Sequence, residues 1–177
     1  MGEEEGGPEV SIIITALNEE RDVLKAVSNT LKAFENFGVN GEVVFVNDGS
    51  TDKTGEIIHD AFGDDKRLQF ITHKTPHGVG AAFWEGVDKA RGDVVAWLPG
   101  DNQTDPWEVI RYHSLLEHVD IVIPFIYNTE VRSLFRRALS VLYRFIINTT
   151  FSTNFSYTNG AILYRKSILK LIPYRSS

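Results

Sequence analysis

The sequence predicts an α/β fold, a mainly parallel central sheet covered by helices on both faces. Three observations predict it. Short, β-branched and almost wholly apolar runs recur along the chain, as strands buried on both faces require. Segments with helical periodicity separate them, an alternation repeated four times that builds βαβ units. Polar clusters follow the strand ends at Asn18-Glu19, Asn47 to Asp52 and Asp101 to Asp105. Ligands of open parallel sheets sit beyond the carboxyl ends of the strands, so these clusters are expected to converge on one edge.

Residues 10–16 (VSIIITA) read as the first strand. Asn18-Glu19-Glu20 then opens a helical pattern with apolar residues at Val23, Ala26, Val27, Leu31 and Phe34, closed by Gly38 and Gly41. Residues 42–46 (EVVFV) are a second buried strand, ending in the dense turn signal Asn47-Asp48-Gly49-Ser50-Thr51-Asp52. A helix follows with Thr54, Ile57, Ile58 and Ala61 in register. Residues 68–72 are a short third strand, 75–80 (TPHGVG) a loop, and 81–90 a helix carrying Phe83, Trp84 and Val87. Gly92-Asp93 turns the chain into a fourth strand at 94–98. Residues 107–116 are expected to be helical and 120–125 (DIVIPF) a fifth strand. A helix with apolar and basic sides is expected over 132–147, a last strand over 160–164 and a last helix over 166–171.

No internal repeat interrupts this order, so the reading is a single domain over residues 10–177 behind a disordered acidic tail at 1–9. Ending just past an element, at Ser176-Ser177, the chain reads as compatible with a longer protein. Its 177 residues are 42% hydrophobic and 24% charged, ordinary for a globular domain. The formal net charge of -6 argues against a nucleic-acid partner, because phosphate neutralisation needs a basic excess. The absence of cysteine excludes disulfides and thiolate metal sites. Nor does any uninterrupted apolar run reach the ~18 residues of a membrane span. The nearest, residues 134–151, carries Arg136, Arg137 and Arg144.

Each motif has a plain structural reading beside a functional one. In Asn47 to Thr54 (NDGSTDKT), Ser50, Thr51 or Asp52 can cap the next helix. Asp48, at the strand's mouth, is left over from that account, and its carboxylate can accept from a base N–H or a ribose hydroxyl. His77-Gly78-Val79-Gly80 holds only a GxG, neither a dinucleotide fingerprint nor a Walker loop. Gly78 and Gly80 permit close backbone approach, and the helix start beside them favours an anion. His77 reads equally as a loop residue or a ligand. In VVAWLPGDNQTDP, Asp101 and Gln103 offer oxygen donors to Mg²⁺ or Mn²⁺, with a diphosphate completing the set. Thr104 or Asp105 can cap the next helix, with Pro106 at its first position. Arg132, Arg136 and Arg137 make either a solvated basic face or an anion clamp, and Arg136 and Ser140 lie one helical turn apart. Phe135, Leu139, Leu142, Tyr143 and Ile146 give the same helix an apolar flank, for a core or for a membrane surface.

Taken together and in this order, these motifs resemble family 2 glycosyltransferases of the GT-A (Rossmann-like) sandwich fold. The group resembled is that of dolichol-phosphate mannose synthase and the bacterial polyprenyl-phosphate glycosyltransferases. The resemblance is carried by SIIITALNEE from Ser11, VVFVNDGSTDKT from Val44, GVGAAFWEGVDKARGDVVAWLPGDNQTDP from Gly78, and more loosely by residues 132–165. It implies a nucleotide-sugar donor, UDP- or GDP-linked, and Mg²⁺ or Mn²⁺. Donor contacts fall to Thr15, Asn18, Glu19, Asp48, Gly78 and Gly80, with Asp48 matching the base-binding aspartate. Asp101 matches the last acid of the DxD-type metal motif and Gln103 the glutamine after it. Arg132, Arg136 and Ser140 are expected at the acceptor phosphate, and Asp101, Arg132 and Arg136 as the catalytic set.

Two departures stand out. Pro99-Gly100-Asp101 replaces Asp-x-Asp, and Tyr157-Thr158-Asn159-Gly160 lacks the acid often found before the late glycine. A sugar-hydroxyl acceptor needs a general base. A lipid phosphate is already anionic and attacks unaided, which suits a second half without an evident catalytic carboxylate. The expected activity is inverting transfer to a polyprenyl phosphate at the cytoplasmic membrane surface, by a protein peripheral to or anchored at that membrane. A saccharide acceptor for cell-surface polysaccharide and a non-catalytic nucleotide-sugar-binding domain are the alternatives.

Overall fold

The computed structural model describes residues 6–124, 134–154 and 160–172, with the backbone alone over 134–138. Six strands form one sheet in the order β3-β2-β1-β4-β6-β5. They are β1 (Val10–Ala16), β2 (Gly41–Asn47), β3 (Leu68–Thr72), β4 (Val94–Pro99), β5 (Ile121–Val122) and β6 (Leu163–Arg165). β1 pairs in parallel with both β2 and β4, and β2 with β3. β6 is antiparallel to β4 and to β5, so the sheet is mixed but mainly parallel.

Alternation along the central strands makes two cores. Ile12 and Ile14 of β1, with Val43 and Phe45 of β2, pack with Val23, Val27, Leu31 and Phe34 of α1 (Val23–Phe37) and Ile58 of α2 (Thr54–Phe62). Ile13, Val44 and Val46 face the other way, onto Ala82 and Val87 of α3 (Val79–Lys89). All of these side chains are buried. The middle residues of β1 and β2 therefore alternate between the two cores, which is why each reads as an apolar run. At Gly86, α3 meets β1 so closely that a Cβ would lie 2.5 Å from Ile13 Cγ2.

The chain divides into two compact units, Met1–Val122 with Ala161–Ser177, and Ile123–Gly160. The first holds the sheet together with α1 to α3, α4 (Trp107–Ile110) and α6 (Lys166–Leu169). The second contains α5 (Leu134–Phe151).

Several expected boundaries move. The first helix starts at Val23 rather than beside Asn18, because the polar groups of residues 18–20 bond across to the turn after β2. Residues 107–116 do not form one helix. α4 stops after a single turn and a 3₁₀ helix takes over at His113–Glu117. The fifth strand keeps only Ile121–Val122, and Phe125 lies outside the described residues. Of the capping candidates, Asp52 Oδ1 accepts from Thr54 N at 3.0 Å and Asp105 Oδ1 from Trp107 N at 3.0 Å. Pro106 precedes the first turn of α4.

At the amino ends of the strands a charge is buried. Glu42, 1% exposed, accepts from Ser11 Oγ at 2.7 Å, Gln69 Nε2 at 2.9 Å, Arg91 N at 2.6 Å and Arg91 Nε at 2.7 Å. Burial pushes its carboxyl up, but the Arg91 amide, the Ser11 and Gln69 donors and the guanidinium outweigh it and hold the group below its ordinary 4.5. A depressed folded pKa contributes stability above the unfolded value and loses it as pH falls through the folded one. Glu42→Gln should therefore cost about 3 kcal/mol in urea unfolding at pH 7, and the gap to the parent should close as pH drops below 4.5. A gap constant from neutral to strongly acid pH would contradict the assignment.

Candidate functional site

β1, β2 and β4 run side by side in one direction, so the loops after Ala16, Asn47 and Pro99 open on a single edge. The first two are stitched together. Asn18, at φ 58°, accepts at Oδ1 from Thr51 N at 2.8 Å and Asp52 N at 3.3 Å, while its own N–H donates to Ser50 Oγ at 3.0 Å. Glu19 N donates to Thr54 Oγ1 at 2.8 Å. Thr15 lies in β1, where its hydroxyl accepts from Trp97 Nε1 at 2.9 Å.

Asp48 follows β2 and is 4% exposed. Its Oδ1 accepts from His73 Nδ1 at 2.7 Å and His77 N at 2.8 Å, and its Oδ2 from Gly78 N at 2.9 Å. Burial opposes its charge, but the His77 amide, His73 and the Gly78 amide together hold its carboxyl below the usual range. Gly78 caps α3 at φ 90°, and Gly80 lies in the first turn of that helix; both are exposed. Gly49 brings the two loops into contact. At φ 77°, a Cβ there would meet the Thr75 carbonyl carbon at 2.5 Å.

Asp101 follows β4, half-buried, and its Oδ1 accepts from Gln103 N at 3.0 Å. Asn102, at φ 55°, is held by Asn29 of α1, whose Nδ2 donates to Asn102 Oδ1 at 3.1 Å. Among the described residues, none donates to Asp101 Oδ2. The Glu19 carboxyl is raised by burial and then by the charges of Asp101, Asp22 and Asp52. Carboxylates that oppose one another, with Asp101 Oδ2 lacking a donor among the described residues and the exposed Gln103 amide beside them, fit a hard divalent cation, which takes oxygen ligands. Asp101 and Gln103 would hold it.

Asp48 and Asp101 thus end the two strands that flank β1. Thr15, Asn18 and Glu19 come from the strand between them, and Gly78 reaches the same edge through Asp48. The acceptor residues are not joined to this set. Arg132 lies outside the described residues, as do residues 155–159 before the late glycine. Arg136 is a backbone position in the first turns of α5, and Ser140 is exposed one turn on. Sequence reading missed His73 and Glu85. His73 is buried, and burial works against its charged form. The hydrogen bonds and charges of Asp48 and Glu85 outweigh that, and its pKa is raised. The spacing His73-x₃-His77-x₇-Glu85 was the available signal.

The sequence profile of the family described as "Glycosyl transferase family 2" matches residues 11–172. The chain is 29% identical over 164 residues to an undecaprenyl-phosphate 4-deoxy-4-formamido-L-arabinose transferase of Edwardsiella ictaluri (strain 93-146), covering 91% of this chain and 50% of the relative. It is 30% identical over 167 residues to the enzyme of that name from Pseudomonas fluorescens (strain SBW25), covering 90% and 48%. The chain therefore spans about half the length of the curated relatives it matches. Among solved structures, glucosyl-3-phosphoglycerate synthase from Mycobacterium tuberculosis, in complex with Mn²⁺, UDP and phosphoglyceric acid, superposes with a TM-score of 0.63 at 23% identity, over 95% of this chain and 59% of that one. A mannosyltransferase from Pyrobaculum calidifontis, in complex with GDP-Man and Mn²⁺, gives 0.65 at 16% identity, over 96% and 48%. The fold is that of the GT-A glycosyltransferases, and with the profile spanning nearly the whole chain, the protein belongs to glycosyl transferase family 2.

Proposed function

We propose that this chain is the donor-binding and catalytic part of an inverting glycosyltransferase that moves a sugar from a nucleoside-diphosphate carrier to a polyprenyl phosphate. The observation that carries the reading is the pair of acids on one edge, Asp48 after β2 and Asp101 after β4, the two strands that flank β1. In this reading a nucleotide spans the edge, its base end at Asp48 and its diphosphate end at Asp101. The acceptor class rests on the undecaprenyl-phosphate transferases to which the chain is similar.

In this reading Asp48 accepts from the base, and its three protein donors fix where it points. Thr15, Asn18, Glu19, Gly78 and Gly80 shape the donor pocket around it. A divalent cation held at Asp101 and Gln103 would supply Lewis-acid stabilisation of the departing diphosphate. Glu19 adds negative charge to that of Asp101, in a motif whose first acid is replaced by Pro99. Arg132 and Arg136, with Ser140, orient the acceptor phosphate, whose oxygen displaces the diphosphate at the anomeric carbon in one step. No proton has to be removed from that nucleophile, so no general base is required.

The acceptor chemistry brings the reaction to a membrane surface. α5 exposes Leu139, Leu142, Phe145 and Ile146, apolar groups suited to the headgroup region. Among the described residues no helix is long and apolar enough to cross a membrane. A non-catalytic nucleotide-sugar-binding domain is the second reading, favoured by Pro99 at the place of the first metal-motif acid.

Calorimetry with UDP and GDP, with and without Mn²⁺, tests the donor site. One nucleotide should bind more tightly with the metal, and Asp101→Ala should remove that gain, a loss of roughly ten-fold or more. Binding indifferent to metal would defeat the cation assignment, and metal-dependent binding without transfer to a short polyprenyl phosphate would favour the second reading. Arg136→Glu should lower the acceptor-dependent rate by about 10²-fold or more while nucleotide affinity stays within about two-fold. An equal loss of both would remove Arg136 from the acceptor.

A further inference from the structure

Behind Asp48 stands a group of side chains that glycosyl transfer leaves unused. His73 is the first residue after β3 and is buried. While its Nδ1 meets Asp48, its Nε2 lies 2.7 Å from Glu85 Oε2. The His77 ring lies against the His73 ring, centroids 4.1 Å apart and planes 20° from parallel, and His77 Nδ1 is 3.6 Å from Glu85 Oε1. One ligand atom from each of the three residues falls within 4.8 Å of the other two. Among the described residues this is the one such group of histidine and carboxylate side chains.

Two imidazole nitrogens and one carboxylate are the donors of zinc-class cations, with a fourth position left to water. Asp48 supplies the second observation. Asp48 and Glu85 can both only accept, so His73 turns a proton toward each, Nδ1–H to Asp48 and Nε2–H to Glu85, and a cation that displaces the second proton meets a ring already held from behind. A carboxylate behind a ligating histidine is the arrangement that fixes the ring and raises its basicity in metal sites. We propose that His73, His77 and Glu85 form a three-ligand site for Zn²⁺ or a chemically similar divalent cation, with Asp48 holding His73 from behind.

The ion asks for small movements only. Ligand atoms on one tetrahedral cation of this size stand roughly 3.3 Å apart, so the 2.7 Å contact between His73 and Glu85 has to open by about half an ångström. His77 must also turn out of the stack to aim its Nδ1 lone pair. Its side chain is 48% exposed and that of Glu85 45%, so both are free to do so, whereas His73 is fixed. Binding releases to solvent the proton that Nε2 otherwise shares with Glu85. Because two of its three donors are nitrogens, the site is chemically distinct from the oxygen donors at Asp101, which suit Mg²⁺ or Mn²⁺. Its consequence is structural. The ion ties the β3–α3 loop to α3 at His77, whose amide is one of those holding Asp48.

Co²⁺ titrated into the chelator-stripped chain, without nucleotide, tests this. We expect one Co²⁺ per chain with the visible absorption of a tetrahedral site, displaced by Zn²⁺, and a thermal midpoint that rises with Zn²⁺ concentration. His77→Ala and Glu85→Gln should each weaken Zn²⁺ binding by roughly ten-fold or more, and Asp101→Ala should leave it unchanged. Both variants alter exposed side chains, and circular dichroism verifies that they fold. No stoichiometric Zn²⁺ in competition with a chelator would overturn the proposal. So would variants that bind as tightly as the parent, since the ion would then lie elsewhere, at His59, His113 or His118.

Discussion

A carboxylate that loses water at the end of a buried strand has to be met by donors, and at Asp48 this requirement organises one side of the site. Its donors are His73, just past β3, and the amides of His77 and Gly78 at the start of α3. The charge therefore draws the whole β3–α3 connection onto the end of β2. Gly49 permits the approach, since any larger residue would press on the backbone of Thr75. Charge-assisted bonds to backbone amides are among the stronger ones available to a loop. The carboxylate proposed to read a nucleotide base is thus also the anchor of the segment that surrounds it.

The same economy holds across the sheet. At the amino ends, Glu42 gathers β1, β3 and the turn before β4 around one buried charge. At the carboxyl ends, Asn18 and Asp52 exchange bonds between the loops after β1 and β2. Between these polar clamps the strands contribute apolar side chains to two cores and little else. The end of β4 differs. Asp101 is held locally by the Gln103 amide and meets the charge of Glu19, so this corner of the edge carries excess negative charge. A rigid frame with one electrostatically unbalanced corner is what a cation site needs, because the frame prevents the acids from moving apart.

Legibility in the sequence followed the range of the interactions. β1 and β2 were readable because both faces of each are buried, and β-branched runs have few other uses. The alternation predicted parallel pairing correctly, and that pairing opens the loops that carry Asp48 and Asp101 on one edge. A last strand was read over 160–164 and lies at Leu163–Arg165, but its antiparallel direction was not readable, since its pairing with β4 is set by a connection of more than sixty residues. The start of α1 was misread because Asn18 and Glu19 look like capping residues, and only the fold shows that their partners sit more than thirty positions away. His73 and Glu85 escaped for the same reason. Neither carries a motif alone, and their contact exists only because a strand end and a helix are brought together through Asp48.

Pro99 was read in the sequence as a loss to the metal motif, and the register gives it a second meaning. It pairs with Thr15 at the end of β1, and the ladder continues past it through Gly100, whose N–H reaches Thr15 O at 2.9 Å. A Cβ on Gly100 would lie 2.8 Å from Ala16 Cβ, so β4 runs tight against β1 up to the residue before Asp101. That tightness fixes where Asp101 emerges, beside the loop that carries Glu19. Proline restricts the backbone at this point and removes a donor that the last rung does not use. The charge that a cation would face in the proposed site then comes from two adjacent strand ends, Asp101 from one and Glu19 from the other. Such a pair is positioned by the pairing of β1 with β4, and strand pairing holds it more firmly than a mobile loop would hold two acids of its own.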